Sequence, residues 1–203
     1  MGRWLEDQGD DTLAQDLFNN TLAGEWLKVV DLYEKYKFSA ISAKINTSGD
    51  TAFHIAVSIA AEYIVEEPFS LISKTWERGL WIKNNDGNTP LHVAVTTGKF
   101  RICILIARLT EFSGYSRNKA GESPLFLAIF HGHKDIFLCL HMLLTSNSNI
   151  DFNDYQEPAD TDTTLINPFY RRNDGETILH SCIRCEYFGK HFYLTFSLHL
   201  YVK

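Results

Sequence analysis

Helical spacing governs the apolar positions through the middle of this chain. Phe100, Cys103, Ile106 and Ala107 recur every three or four residues, as do Ile102, Leu105 and Leu109. Ile136, Phe137, Leu140 and Leu144 repeat the pattern further on. Each run predicts an amphipathic helix. A shorter element stands ahead of each run. Thr89 and Ser123 suit a helix N-cap, and Pro90 and Pro124 then take the first helical position, where a missing N–H costs nothing. Leu91 and Ala94 share one face of that short helix, and Gly98 and Gly132 suit its end. Gly87 and Gly121 suit a preceding turn with positive φ. The pattern predicts helix pairs joined by tight turns.

The unit recurs. Asp86-Gly87-Asn88-Thr89-Pro90-Leu91-His92-Val93-Ala94 is matched by Ala120-Gly121-Glu122-Ser123-Pro124-Leu125-Phe126-Leu127-Ala128. It is matched again by Ser48-Gly49-Asp50-Thr51-Ala52-Phe53-His54-Ile55-Ala56 and by Asp174-Gly175-Glu176-Thr177-Ile178-Leu179-His180-Ser181-Cys182. The glycines stand at 49, 87, 121 and 175, so the spacings are 38, 34 and 54. A degraded upstream copy carries Leu17, Phe18, Leu22, Gly24, Trp26, Val29, Val30 and Leu32 without the Thr-Pro-Leu-His core. These residues resemble the ankyrin repeat, whose period is about 33 residues.

The resemblance implies an all-α ankyrin solenoid of about five helix-pair repeats with short hairpin loops. No such unit buries its own apolar face, so neighbours must stack. Along the chain the expectation is an acidic segment over 1–12 and a capping repeat over 13–45. Repeats follow over 46–82, 83–116 and 117–144, then an acidic flexible insertion over 145–168 and a last, atypical repeat over 169–203. In such repeats the motif histidine ties adjacent hairpins by hydrogen bonds, which is the expected role of His54, His92 and His180. Phe126 replaces it in one copy and loses those bonds. The residue at Ala56, Ala94, Ala128 and Cys182 must be small, because neighbouring helices approach closely there.

Three stretches depart from the pattern. The spacing of 38 adds four or five residues to the second repeat, and Pro68 falls there. Either it kinks a second helix carrying Ile64, Val65, Phe69 and Ile72, or it opens a shorter helix after a longer loop. The apolar phase favours the kink. The stretch Thr145–Pro168 holds five acids and no Lys or Arg, which reads as a surface loop. Its Asp151 and Asn153 begin like a calcium loop. Tyr155 and Gln156 then stand where a ligand and the obligatory Gly belong, which argues against calcium. Near the C-terminus, Phe192, Leu194, Phe196, Leu198, Leu200 and Val202 alternate with polar or aromatic residues, a strand period where a helix is due. That stretch reads either as an amphipathic second helix or as the sign of a truncated or divergent chain.

Composition narrows the function classes. The 203 residues carry 19 Lys+Arg against 25 Asp+Glu, a net charge of −6, which argues against general nucleic-acid binding. Four cysteines and an acidic N-terminus give no disulfide scaffold and no secretory signal, so the cytoplasm is the expected compartment. No run reaches the length of a membrane helix. Asn19-Asn20-Thr21 and Asn46-Thr47-Ser48 match glycosylation sequons by chance. There is no Gly-x-Ser-x-Gly elbow and no phosphate loop, and no catalytic residue, cofactor or small-molecule substrate is expected. Trp4, Trp26, Trp76 and Trp81 are read as packing residues. His180, Cys182, Cys185 and His191 have metal-like spacing, which supports a zinc- or redox-responsive regulator as the alternative.

The reading favoured over it is a protein-binding module whose partner lies on the concave face. The ankyrin resemblance puts Asp50, Lys83, Asn85, Asp86, Asn88, Asn118, Lys119, Glu122, Arg172, Asn173, Asp174 and Glu176 at the hairpin tips. It puts Ser58, Thr96, Thr97, Phe130, His131 and Arg184 on the first helices. A narrower likeness joins the runs Gly49–Val57 and Gly175–His180, followed by Glu186-Tyr187-Phe188, to plant ankyrin proteins. Many of those carry a C-terminal multi-helix membrane domain and act in defence or stress signalling. That domain is missing from this sequence, which implies a fragment or short form, at most associated with the cytoplasmic face of a membrane.

Overall fold

The computed structural model describes residues 7–59, 77–110, 116–146 and 170–185. Nine α-helices are named among them: α1 (Asp7–Leu22), α2 (Trp26–Tyr36), α3 (Phe38–Ser42), α4 (Ala52–Ile59), α5 (Pro90–Thr96), α6 (Phe100–Leu109), α7 (Pro124–Phe130), α8 (Lys134–Ser146) and α9 (Ile178–Cys185). A 3₁₀ turn spans Glu77–Trp81. No strand occurs among the described residues, only an antiparallel bridge between Arg171 and Thr177. The fold is the expected all-α solenoid.

Two rows of helices build it. The first helices pack in sequence, α1 on α4, α4 on α5, α5 on α7 and α7 on α9, while α6 packs on α8 behind them. Each complete pair, α5 with α6 and α7 with α8, packs internally as well. The short helices begin as their sequence dictates. Ser123 Oγ accepts the N–H of Phe126 at 3.1 Å, and Pro90 and Pro124 sit in the first turn. They end in matching C-caps. Gly98 has φ of 70°, its N–H reaches Val95 O, and Lys99 N–H reaches Ala94 O. Gly132 repeats this with Ile129 and Ala128. So does Gly24, bonding Thr21 O while Glu25 N–H bonds Asn20 O. The degraded first copy therefore keeps the helix-pair turn although it lacks the motif, and its α1 begins at Asp7, ahead of position 13.

The core is a seam along the stack, not a central cluster. Leu91, Val95, Ile102, Ile106, Leu125, Ile129, Phe137 and Leu140 are all essentially inaccessible. Burying each such side chain contributes about 1.5–3 kcal/mol. Ala94 and Ala128, on α5 and α7, are also fully buried, as close packing of successive first helices requires. Trp26 packs against this core, whereas Trp81 is 38% exposed and lies outside the core cluster. Phe100 is likewise partly exposed, so the buried face of α6 is Ile102, Cys103 and Ile106. The expected Pro68 helix, residues 147–169, Trp4, Trp76 and the alternating C-terminal run lie outside the described residues. α8 continues two residues into the span expected for the insertion.

Candidate protein-interaction surface

The hairpin tips are built on one recurring polar residue. Asn84 Oδ1 accepts the N–H groups of Asp86 at 3.0 Å and Asn88 at 2.9 Å. Asn118 Oδ1 accepts those of Ala120 and Glu122 at 3.0 and 2.9 Å. Asn46 Oδ1 accepts that of Asp50 at 2.9 Å. This Asx geometry closes the turn over Gly49, Gly87 and Gly121, whose φ values are 69°, 80° and 81°. In the last repeat Arg172 takes the Asn position, and Asp174 Oδ1 instead accepts the N–H of Glu176 at 3.0 Å.

Successive tips are tied to one another in register. Asn85 N–H donates to Ser48 O, Lys119 N–H to Asp86 O, and Asn173 N–H to Ala120 O. Side chains follow the same step. Asn84 Nδ2 reaches Asp50 Oδ1 at 2.8 Å, Asn118 Nδ2 reaches Asn88 Oδ1 at 2.9 Å, and Arg172 Nε lies 3.4 Å from Glu122 Oε1. Asn85 Nδ2 bonds Thr47 O, and Asn173 Nδ2 bonds Lys119 O. A cationic step runs alongside. Lys44 Nζ donates to Lys83 O, Lys83 Nζ to Arg117 O at 2.7 Å, and an Arg117 guanidinium N–H to Arg171 O at 3.1 Å. Partial burial lowers the pKa of the Lys44 ammonium, and Asp50 opposes that shift.

The motif histidines form a second tie, deeper in the stack. His54 Nδ1 lies 3.2 Å from the Thr51 N–H, and its Nε2 lies 2.8 Å from Asn88 O. His92 Nδ1 accepts from the Thr89 N–H at 3.1 Å, and Nε2 donates to Glu122 O at 3.1 Å. With Nδ1 facing a donor and Nε2 facing an acceptor, each ring is held neutral with its proton on Nε2. Burial lowers the pKa of both, that of His92 to about 4. The expected structural role of these two histidines is what the geometry provides. His180 keeps only the inner half, with Nδ1 3.2 Å from the Thr177 N–H, and its residue is exposed. At the Phe126 position the tie is missing as expected. Phe126 is fully buried, stacks on Phe130 at 6.2 Å, and has the Arg172 guanidinium 6.0 Å from its ring centre.

The expected site residues divide accordingly. Asp50, Asn88, Asn118, Glu122, Arg172 and Glu176 are half-buried and bonded within or between tips, so their side chains hold the stack together. Lys83, Asn85, Asp86, Lys119, Asn173 and Asp174 are exposed. On the first helices, Thr96, Thr97 and His131 are exposed, and Ser58 and Phe130 are half-buried. Phe130 meets His131 edge-on at 5.3 Å, and burial together with neighbouring His133 lowers the His131 pKa. The Arg184 side chain lies outside the described ones. Asn46, Asn84, Lys44, Arg117 and Arg171 were missing from the expected set. The signal for the first two was present: Asn stands three residues before the turn Gly in three copies. The Asn46 amide is engaged at both atoms.

Among the described residues, no group of three metal-ligating side chains stands together. The Cys182 and Cys185 side chains and His191 lie outside them. No helix among the described residues is long and apolar enough to cross a membrane. The family model for ankyrin repeats, in three copies, matches residues 69–156. That span, a little under half of the chain, is thus similar to ankyrin repeats, modules that generally mediate contacts between proteins. The copies at Gly49 and Gly175 fall outside that span yet share its turn geometry and inter-tip bonds. No curated protein matches the chain.

Proposed function

We propose that this chain is a non-catalytic protein-binding module or scaffold that takes a partner across its exposed tips and first helices. The observation that carries this reading is the division of labour just described. The polar residues with chemical potential, His54 and His92 above all, are spent on holding repeats in register. Exposed residues recur at matching positions: Asn85, Lys119 and Asn173 at the tips, of which Asn85 and Asn173 also donate to the neighbouring tip, and Thr97 and His131 at the ends of the first helices. A surface of equivalent positions repeated along a stack is suited to an extended partner. The likeness to plant ankyrin proteins supports a place in defence or stress signalling at the cytoplasmic side of a membrane.

The test is affinity capture with mass spectrometry, using the full chain and a Thr96→Arg/His131→Glu variant. Both positions are exposed and outside the inter-repeat bonds, so the variant keeps its melting temperature and loses the captured protein. Capture of the same protein by both chains at equal yield would remove the surface assignment.

A further inference from the structure

The charges at the hairpin tips are not equivalent in what they face. The carboxylates after the turn are engaged from inside. Asp50 accepts from the amides of Asn46 and Asn84, one at each oxygen. Glu122 accepts from Asn118 and faces Arg172, and Glu176 accepts from Ser181 and faces Arg172. The cations before the turn are treated differently. Lys44, Lys83 and Arg117 each donate to a neutral carbonyl one repeat further on. Among the described residues, none of Lys44, Lys83, Arg117 and Arg171 has a carboxylate in ion-pair range. An ammonium has three donors, and one bond to a carbonyl leaves two; Lys83 has no carboxylate bonded to it, and Lys44 feels Asp50 only at longer range. Lys44 and Lys83 are also exposed. The result is a row of positive charge along one edge of a protein whose net charge is −6.

Resting on the protein-binding reading above, we infer that this row, Lys44–Lys83–Arg117–Arg171, docks an extended acidic segment of the partner, with carboxylates about three residues apart. The spacing follows from two lengths. Neighbouring helices pack about 8–10 Å apart, which sets the step from one repeat to the next, and an extended chain of polyproline II type, with three residues per turn, advances about 3.1 Å per residue and keeps every third side chain on one face. A carboxylate at every third position therefore meets one cation per repeat. A helical segment fits less well, because three residues of helix advance only about 4.5 Å.

Fluorescence anisotropy with the full chain tests this. The probe is a labelled peptide of about twelve residues with Glu at every third position, the span of four repeats. A permuted peptide with its glutamates contiguous, a peptide with Lys in place of Glu, and a single-stranded oligonucleotide of similar charge complete the set. The spaced peptide binds best, and its binding weakens as salt rises. Lys44→Gln/Lys83→Gln, which keeps a donor for each carbonyl, weakens it about tenfold with an unchanged melting temperature. If that variant melts early, the single Lys83→Gln variant is read instead, beside Lys83→Arg, which must bind like the parent chain. Failure of the spaced peptide to bind, equal binding of the permuted one, or tighter binding of the oligonucleotide overturns the inference. If the peptide fails while Thr96→Arg/His131→Glu still abolishes capture, the acidic row falls and the wider interaction surface stands. If both fail, both fall.

Discussion

Acid should loosen the stack through its buried histidines before its carboxylates matter. His92 is fully buried, accepts the Thr89 N–H at Nδ1 and donates to Glu122 O from Nε2. Protonation would turn Nδ1 toward a donor and place a charge among apolar neighbours. The folded-state pKa is accordingly lowered from 6.5 to about 4. The sign follows from proton counting. Between pH 6.5 and 4 the unfolded chain binds a proton that the folded chain refuses, so stability rises with pH across that window. The contribution is fully present above pH 6.5 and is lost as pH falls toward 4. A displacement of about 2.5 units at 1.36 kcal/mol per unit gives about 3 kcal/mol from this one side chain. His54 is shifted in the same direction and adds to it. The assay is urea unfolding followed by circular dichroism over this pH range, with the parent chain beside His92→Gln. Near neutrality the variant is less stable by about 1–3 kcal/mol, because Thr89 and Glu122 lose their partner. The gap should close as pH falls, since only the parent pays the imidazole penalty, while carboxylate titration cancels between the two. A gap constant from pH 7 to 4 would refute the reasoning.

Two further predictions concern the tips. Gly87 has φ of 80°, and a Cβ there would meet Lys119 N at 2.8 Å, so Gly87→Ala costs about 2–4 kcal/mol. At Gly175, φ is 84° but nothing lies within 4 Å, so Gly175→Ala costs only the backbone penalty of about 1 kcal/mol. Equal costs in denaturant unfolding would show that the inter-tip contact contributes nothing. Asn84→Ala removes the acceptor for two backbone N–H groups and a bond to Asp50, for a loss of about 2–3 kcal/mol. An unchanged unfolding midpoint would contradict the turn geometry.

Much of the fold was legible because local chemistry and stacking agree at the same residues. The Thr-Pro cap, the closing Gly98 and Gly132, and the small Ala94 each have a local reason that survives into the stack. Phe126 was legible too, as the one break in the histidine column. What was not legible was which tip side chains turn inward. Asn88 and Asn118 look like Asn85 and Asn173 in sequence, since all four are polar residues in a turn. Only the register of one hairpin on the next pairs the first two side chain to side chain at half-buried positions, while Asn85 and Asn173 reach a neighbouring backbone carbonyl from the surface. Lys44, Arg117 and Arg171 escaped for the same reason: the first two donate to a carbonyl one repeat away and Arg171 supplies such a carbonyl, which no local pattern records. In the N-terminal copy, by contrast, the Gly24 turn held although the motif around it had decayed, because the cap depends on backbone conformation alone.

The central claim is that a partner protein lies across the first helices and tips. Site-specific photo-crosslinking in cell extract tests it most directly, with a photoreactive residue at Thr97 on the first-helix row or at Arg101, exposed on the second-helix row. A discrete crosslinked protein is expected from position 97 and none from position 101. Crosslinking of the same protein from position 101 alone, or equally from both, would contradict it.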